Sequence, residues 1–305
     1  MSFLTARASK HFQSKTRLVR WLSPVACCVS IACAPGTEAD ETGSGGEGAG
    51  EPSGASSQAS TGSFESGATS SSSGGQIEVA EVYGHSPTVL YRLDPNTKAV
   101  TVVGSFSGCS SVIDIALDKD SNLIGTTFDG IYAIDRDTAA CSLIASGSYP
   151  NSLSFIPENT LDPAVEALVG YEGDQYIRID PATGNKQYVG ASWGTGLSSS
   201  GDVVSVKGGK SFLTVTGPGC PSDCLIEIDP ADGSIVHNWG PLGYSAVYGI
   251  AFWAGSVYGF SEAGELFEVS FPNGVLTTTL IAQPPDTFFW GAGSTTSAPP
   301  EPVPR

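Results

Sequence analysis

The chain has 305 residues and carries 31 acidic against 14 basic side chains. A balance this acidic, with no basic patch interleaved with aromatics, argues against nucleic acid as a partner and fits solubility and repulsion from anionic surfaces. Composition divides the chain into a basic and apolar start, a Gly/Ser-rich segment, and about 220 residues that suffice for one domain or one repeat array.

Residues 1–33 contain Arg7, Lys10, Lys15, Arg17 and Arg20 and no acid. An apolar run follows, Trp21 and Leu22, then Val25 to Cys33. It is too short to span a bilayer as a helix. A basic start, a short apolar centre and small residues at its end are the parts of an export signal. The run closes on Ser30-Ile31-Ala32-Cys33, which resembles the signal of bacterial lipoproteins. That resemblance implies lipidation of Cys33, which would become the mature N-terminus. Ser30 departs from the aliphatic residue usual at its place, so Cys27, Cys28 and ordinary signal-peptidase cleavage nearby stay open as alternatives.

Residues 34–75 are dominated by Gly and Ser. Such a segment buries too little apolar surface to offset its chain entropy, and it is expected to be a disordered tether. Its Gly43, Gly45 and Gly48 spell G-x-G-x-x-G, but no strand precedes them and no helix follows, so a dinucleotide site is not supported. The domain proper is expected over 76–297, followed by an unstructured Pro-rich tail over 298–305.

The domain restates one phrase five times: LYRLDPNTKAVTVVG, IYAIDRDTAACSLIA, YIRIDPATGNKQYVG, LIEIDPADGSIVHNWG and LFEVSFPNGVLTTTLIA. From Asp94 the steps to Asp135, Asp180, Asp229 and Ser270 are 41, 45, 49 and 41 residues. A period in this range marks an array or a propeller. The phrase reads as a β-hairpin, with alternating apolar residues, a turn-forming Asp, a Pro that presets φ, and a Gly that accepts positive φ. The repeated aspartates are therefore turn formers rather than catalysts.

Upstream of the phrases lie two further strand-like runs per unit, such as Val112–Asp118 and Asn122–Phe128, or Val247–Trp253 and Ser256–Phe260. Four short antiparallel strands per unit predict an all-β, five-bladed propeller. Only Ile77–Gly84 precedes the first phrase, and Phe288–Thr296 is left over at the end. Trp290-Gly291-Ala292 is similar to Tyr248-Gly249-Ile250 on an inner strand. The last strand is thus expected beside the first, completing blade one and leaving no open edge at the seam. Six blades is the alternative, and the third unit, with its insertion Glu158–Ala167, is the least regular. The repeats resemble those of secreted bacterial β-propellers of the quinoprotein-like and lactonase-like kinds. That resemblance implies the fold and little about activity.

Cys109, Cys141, Cys220 and Cys224 remain in the domain, an even number in a chain expected to be exported. The favoured pairs are Cys220 with Cys224, closing CPSDC, and Cys109 with Cys141. A four-thiolate metal site lacks the paired C-x-x-C of zinc sites.

Aligning the units places Asp114, Asn151, Asp202, Gly249 and Gly291 at one position near the start of the inner strand. This is a candidate channel-lining polar ring, suited to a cation or sugar hydroxyl, or to holding water and loop amides. Asp118-Lys119-Asp120-Ser121-Asn122 begins like a calcium loop but has Leu123 where Gly is needed. Gly190-Ala191-Ser192-Trp193-Gly194 matches G-x-S-x-G without the helix that a nucleophile elbow needs. His85 and His237 are the domain's only candidate bases. Trp239 is reminiscent of the blade-docking tryptophan of quinoprotein repeats.

The sequence assigns no catalytic residue and no cofactor, with calcium at Asp118–Asn122 as the open possibility. The expectation is a non-catalytic binding module of the cell envelope, held by an N-terminal lipid as an outer-membrane lipoprotein or else secreted, whose partner is a surface protein or glycan. The alternative is a hydrolase or lyase acting on a glycan or lactone through channel carboxylates or a divalent cation.

Overall fold

The computed structural model describes residues 80–302. The signal region with Cys27, Cys28 and Cys33, the Gly/Ser-rich segment and residues 77–79 of the expected opening strand lie outside the described residues. Alternation of apolar and polar residues becomes strand wherever turn chemistry brackets it. Blade one receives β1 (Val82–His85), β2 (Val89–Leu93) and β3 (Val100–Ser105). Blade two is β4 (Val112–Leu117), β5 (Leu123–Thr127), β6 (Gly130–Ile134) and β7 (Cys141–Ser146). Blade three is β8 (Leu153–Ile156), β9 (Ala167–Glu172), β10 (Gln175–Ile179) and β11 (Lys186–Tyr188). Blade four is β12 (Ser198–Ser205), β13 (Ser211–Thr216), β14 (Cys224–Ile228) and β15 (Ile235–Pro241). Blade five is β16 (Val247–Trp253), β17 (Ser256–Ser261), β18 (Leu266–Ser270) and β19 (Thr277–Ala282). The last strand, β20 (Gly291–Ser294), is the inner strand of blade one.

Five four-stranded antiparallel sheets result, and the molecule is a five-bladed β-propeller. β20 pairs antiparallel with β1, with Val82 opposite Ser294 and His85 opposite Gly291. The end of the chain thus completes the sheet that its start began. The inner strand β4 is buried along its whole length, while the outer strand β7 alternates half-buried and exposed residues.

The apolar core is divided among the five blade-to-blade interfaces. Phe212 and Leu225 of blade four meet Ile250 and Phe267 of blade five. Ile124 and Ile131 of blade two meet Leu153 and Ile177 of blade three. Val82 and Tyr91 of blade one meet Tyr258 and Phe260 of blade five. Each large side chain buried this way contributes about 1.5–3 kcal/mol relative to exposure.

The repeated turn has a second role, as a foot that docks each blade on the one before it. In the turn itself Asp180 accepts the Ala182 amide at 2.9 Å, and Asp94, Asp135 and Asp229 accept equivalent amides. The turn carbonyls then face the preceding blade. Tyr149 donates to the Gly184 carbonyl at 2.9 Å, and Tyr176 to the Pro230 carbonyl at 3.0 Å. Lys98 in the first turn reaches the Tyr258 hydroxyl of blade five. Blade five docks through Phe271, stacked on Phe212 and packed against Trp239 of blade four, so Trp239 has the docking role.

Both disulfides form as paired above. Cys109–Cys141 ties the connection between blades one and two to β7, and Cys220–Cys224 closes the turn between β13 and β14. Blade three is the irregular one, with its insertion between β8 and β9 and an outer strand of three residues. The tail needs correction, because the chain stays packed past residue 297. Ala298 is buried among Val206, Phe252 and their neighbours, and the Pro299 carbonyl accepts the Ala254 amide at 2.8 Å. Apolar Ala and Pro side chains here cover the rim of blades four and five instead of entering solvent.

The Gly233 carbonyl accepts from both Tyr171 and Trp193, each at 2.9 Å. Tyr171→Phe or Trp193→Phe alone leaves one donor, and each is expected to cost about 0.5–1.5 kcal/mol in urea unfolding. The double variant leaves the carbonyl without either donor and should cost more than the sum of the two.

Candidate functional site at the channel mouth

The inner strands all start at one face of the wheel and run away from it. Their early residues therefore form rings around the axis. In one ring stand Asp114, Asp202, Gly249 and Gly291, with Ser152 for blade three. The register is read from the amides that follow: Ile115, Val203, Ile250 and Leu153 are the residues whose N–H groups reach the ring carboxylates. Asn151 lies one residue earlier and is exposed at the mouth, whereas Ser152 is buried. The irregular loop before β8 gives no pattern by which to fix that register, and a shift of one residue exchanges the two faces of a strand.

Asp114 and Asp202 are both 0% exposed. Asp114 accepts its own neighbour Ile115 N–H at 2.8 Å and, across the blade boundary, Leu153 N–H at 2.6 Å. Asp202 does the same with Val203 at 2.7 Å and Ile250 of blade five at 2.9 Å. Each carboxyl thus staples its blade to the next. The two side chains also hydrogen-bond each other across the axis. Burial raises both well above the ordinary carboxylate range, and for Asp114 the charge of Asp202 is a second cause. The amides of Ile250, Val203 and Ala292 offset part of the effect of burial on Asp202, and the buried pair as a unit holds a proton well above the ordinary carboxylate range.

The ring has no room for more side chains. A Cβ on Gly249 would stand 2.6 Å from the Ala292 nitrogen, and one on Gly291 would stand 2.6 Å from Asp114 Oδ1 and collide with His85 Nε2. His85 is fully buried beside this point. Its Nδ1 bonds the Ser86 carbonyl at 2.9 Å, so Nδ1 carries the proton, while Nε2 has no partner. Burial lowers its pKa from 6.5 to about 4, and it is neutral at pH 7.

Above the carboxyls the preceding residues of the inner strands, Ile113, Asn151, Tyr248 and Trp290, form the floor of a pocket of about 500 Å³. Its walls include Tyr149, Tyr171, Glu172, Glu262 and Phe128, the last 69% exposed. Glu172 is paired with Lys186 at 2.5 Å. The pocket is aromatic at its base and acidic at its rim. Its one signal in the sequence is the matching Tyr248-Gly249 and Trp290-Gly291 pairs, which place their aromatics on the same ring.

The other candidate residues are accounted for locally. Asp118 accepts the amides of Asp120 and Asn122 and the Asn122 side chain, as an Asx turn does. Among the described residues no three metal-ligating side chains are gathered in a group. Ser192 is exposed and donates to Asp174, and His237 packs on Trp239 at 4.3 Å between ring centroids.

No family model and no curated protein matches the chain. Its likeness is to solved structures. A nidogen/laminin complex aligns at 12% identity and TM-score 0.44, over 74% of this chain and 82% of that one. A gluconolactonase from Xanthomonas campestris aligns at 14% and 0.44, over 68% and 75%. The β-propeller domain of Cps50 (Swd1) from Myceliophteria thermophila aligns at 10% and 0.38, over 62% and 61%. Neighbours so distant and so varied assign no activity to this chain.

The buried groups predict an unusual pH dependence. Above about pH 6.5, where His85 is neutral folded or unfolded, the folded state still holds a proton on the Asp114–Asp202 pair that the unfolded chain has released. Stability should therefore fall with rising pH, by up to about 1.4 kcal/mol per unit. Between about pH 4 and 6.5 the unfolded chain binds a proton at His85 that the folded protein refuses, which offsets that fall. Urea midpoints measured from pH 4 to 9 should show a plateau and then a decline. Asp114→Asn, less stable overall because its amide nitrogen cannot accept an N–H, should change the decline above pH 6.5, and Asp114→Asn with Asp202→Asn should lose it.

Proposed function

We propose that this protein is an exported, non-catalytic binding module that seats its ligand in the aromatic pocket at the channel mouth. The observation that carries this reading is the state of Asp114 and Asp202. Both are sealed from solvent, and all four oxygens accept backbone amides. Carboxyls committed in this way hold blades together and do not reach a substrate. The pocket above them joins loops from several blades on a rigid ring, an arrangement suited to recognition.

Export is supported by the two disulfides, which persist in oxidising compartments. Among the described residues no helix is long and apolar enough to cross a membrane. With lipidation at Cys33 and residues 34–75 as a tether, the mouth would be displayed at the cell envelope, where a surface protein or glycan would meet it. No cofactor is required for this role.

The competing reading, a hydrolase or lyase of glycans or lactones, needs the channel carboxyls to act on substrate. Purified protein assayed against a panel of esters, lactones and glycans should show no turnover that distinguishes it from Asp114→Asn or Asp202→Asn. Turnover abolished by either substitution, in a variant that still shows the native unfolding transition, would overturn the proposal.

A further inference from the structure

The basic side chains of the described residues are gathered almost wholly at one face of the wheel, whereas acids stand on both. The mouth-side turns, which follow the second strand of each blade, carry Asp129, Glu172, Asp174, Asp223, Glu262 and Glu265. The cations Lys98, Lys119, Arg136, Lys207 and Lys210 sit in turns of the opposite face. Arg92 and Arg178 lie near the opposite ends of their strands and pair there with Glu81 and Asp162. Only the Lys186 ammonium reaches the mouth, and it is spent on Glu172 and the Ser148 carbonyl. His85, below the floor, is neutral.

Inside the pocket Glu262 is exposed, and its carboxylate has no side-chain partner among the described residues. Its charge is felt at the floor: after burial, Glu262 and then Asp223 are what raise the Tyr248 hydroxyl. Trp290 and Tyr248 therefore line the pocket in a field of uncompensated negative charge. Aromatic faces attract cations through their quadrupole, and the attraction grows where water is partly excluded.

Resting on the mouth pocket as the binding site, we propose that its ligand carries a positive charge, an organic ammonium group seated against Trp290 and Tyr248 with Glu262 as its counter-charge. A free quaternary or primary amine and a lysine side chain of a polypeptide offer the same group. A neutral glycan would also stack on the aromatics but would leave Glu262 unmatched, and an anionic ligand would be repelled.

Calorimetric titration of the full chain with choline, with its neutral isostere 3,3-dimethylbutanol, with a blocked lysine-containing peptide and with a neutral oligosaccharide tests this. Choline or the lysine peptide should bind saturably, and choline at least about tenfold more tightly than the isostere. Glu262→Gln should cost a similar factor, Glu262→Asp less, and Trp290→Ala should abolish binding while the unfolding midpoint is kept. Added salt should weaken the complex. Tighter binding of the peptide than of choline assigns the ammonium to a polypeptide, and the reverse assigns it to a small molecule. If the isostere or the oligosaccharide binds as well as the cations and depends on Trp290, the inference falls and the binding reading stands. If nothing in the panel binds, both are overturned.

Discussion

The narrowness of the axial ring is the constraint on which the rest of the molecule depends. Five inner strands converge so closely that only two of the five positions hold a carboxyl, while Ser152, Gly249 and Gly291 keep the others small. Two carboxyls buried in one narrow ring cannot both ionise, so they share a proton and hydrogen-bond each other. Their remaining acceptor capacity goes to amides of the next blade. Buried polar groups that would otherwise be costly thus become the fastening between blades two and three and between blades four and five.

The periphery is fastened by different chemistry. There the repeated turn offers its carbonyls to tyrosine and tryptophan donors of the preceding blade, and the interfaces between are apolar. Axis and rim together leave the mouth-side loops free of structural duty. The aromatic residues one step before the ring can therefore face a ligand, and the acidic loops around them set the charge that ligand should carry.

Much of this architecture was legible in the sequence because turn chemistry is local. Asp180 bonding its own turn, Pro181 presetting φ and Gly184 at a φ of 72° need no knowledge of the fold. Lys98 and Ala139 occupy the same kind of left-handed position at φ of 62° and 59°, which blurs the repeat without changing the turn. Closure by the last strand was legible for a related reason, since Trp290-Gly291 repeats Tyr248-Gly249. The ring was only partly so. Strand pattern marks Asp114 and Asp202, but Tyr149-Pro150-Asn151-Ser152 has no alternation to count, and Ser152 rather than Asn151 stands in the ring. The packed Pro299 had no signal at all, since a Pro-rich end is ordered only by the surface it happens to meet. The orphaned nitrogen of His85 is likewise a product of three-dimensional crowding.

Native-state hydrogen exchange of the Leu153 and Ile250 amides tests the central claim most directly. With the ring carboxyls as staples, both amides should exchange in the wild type only through global unfolding, at the slowest class of rates. Asp114→Ala should release Leu153 to faster, local exchange while Ile250 follows global stability alone, and Asp202→Ala should do the reverse. Unchanged protection of Leu153 in Asp114→Ala, relative to the global rate of that variant, would contradict the account.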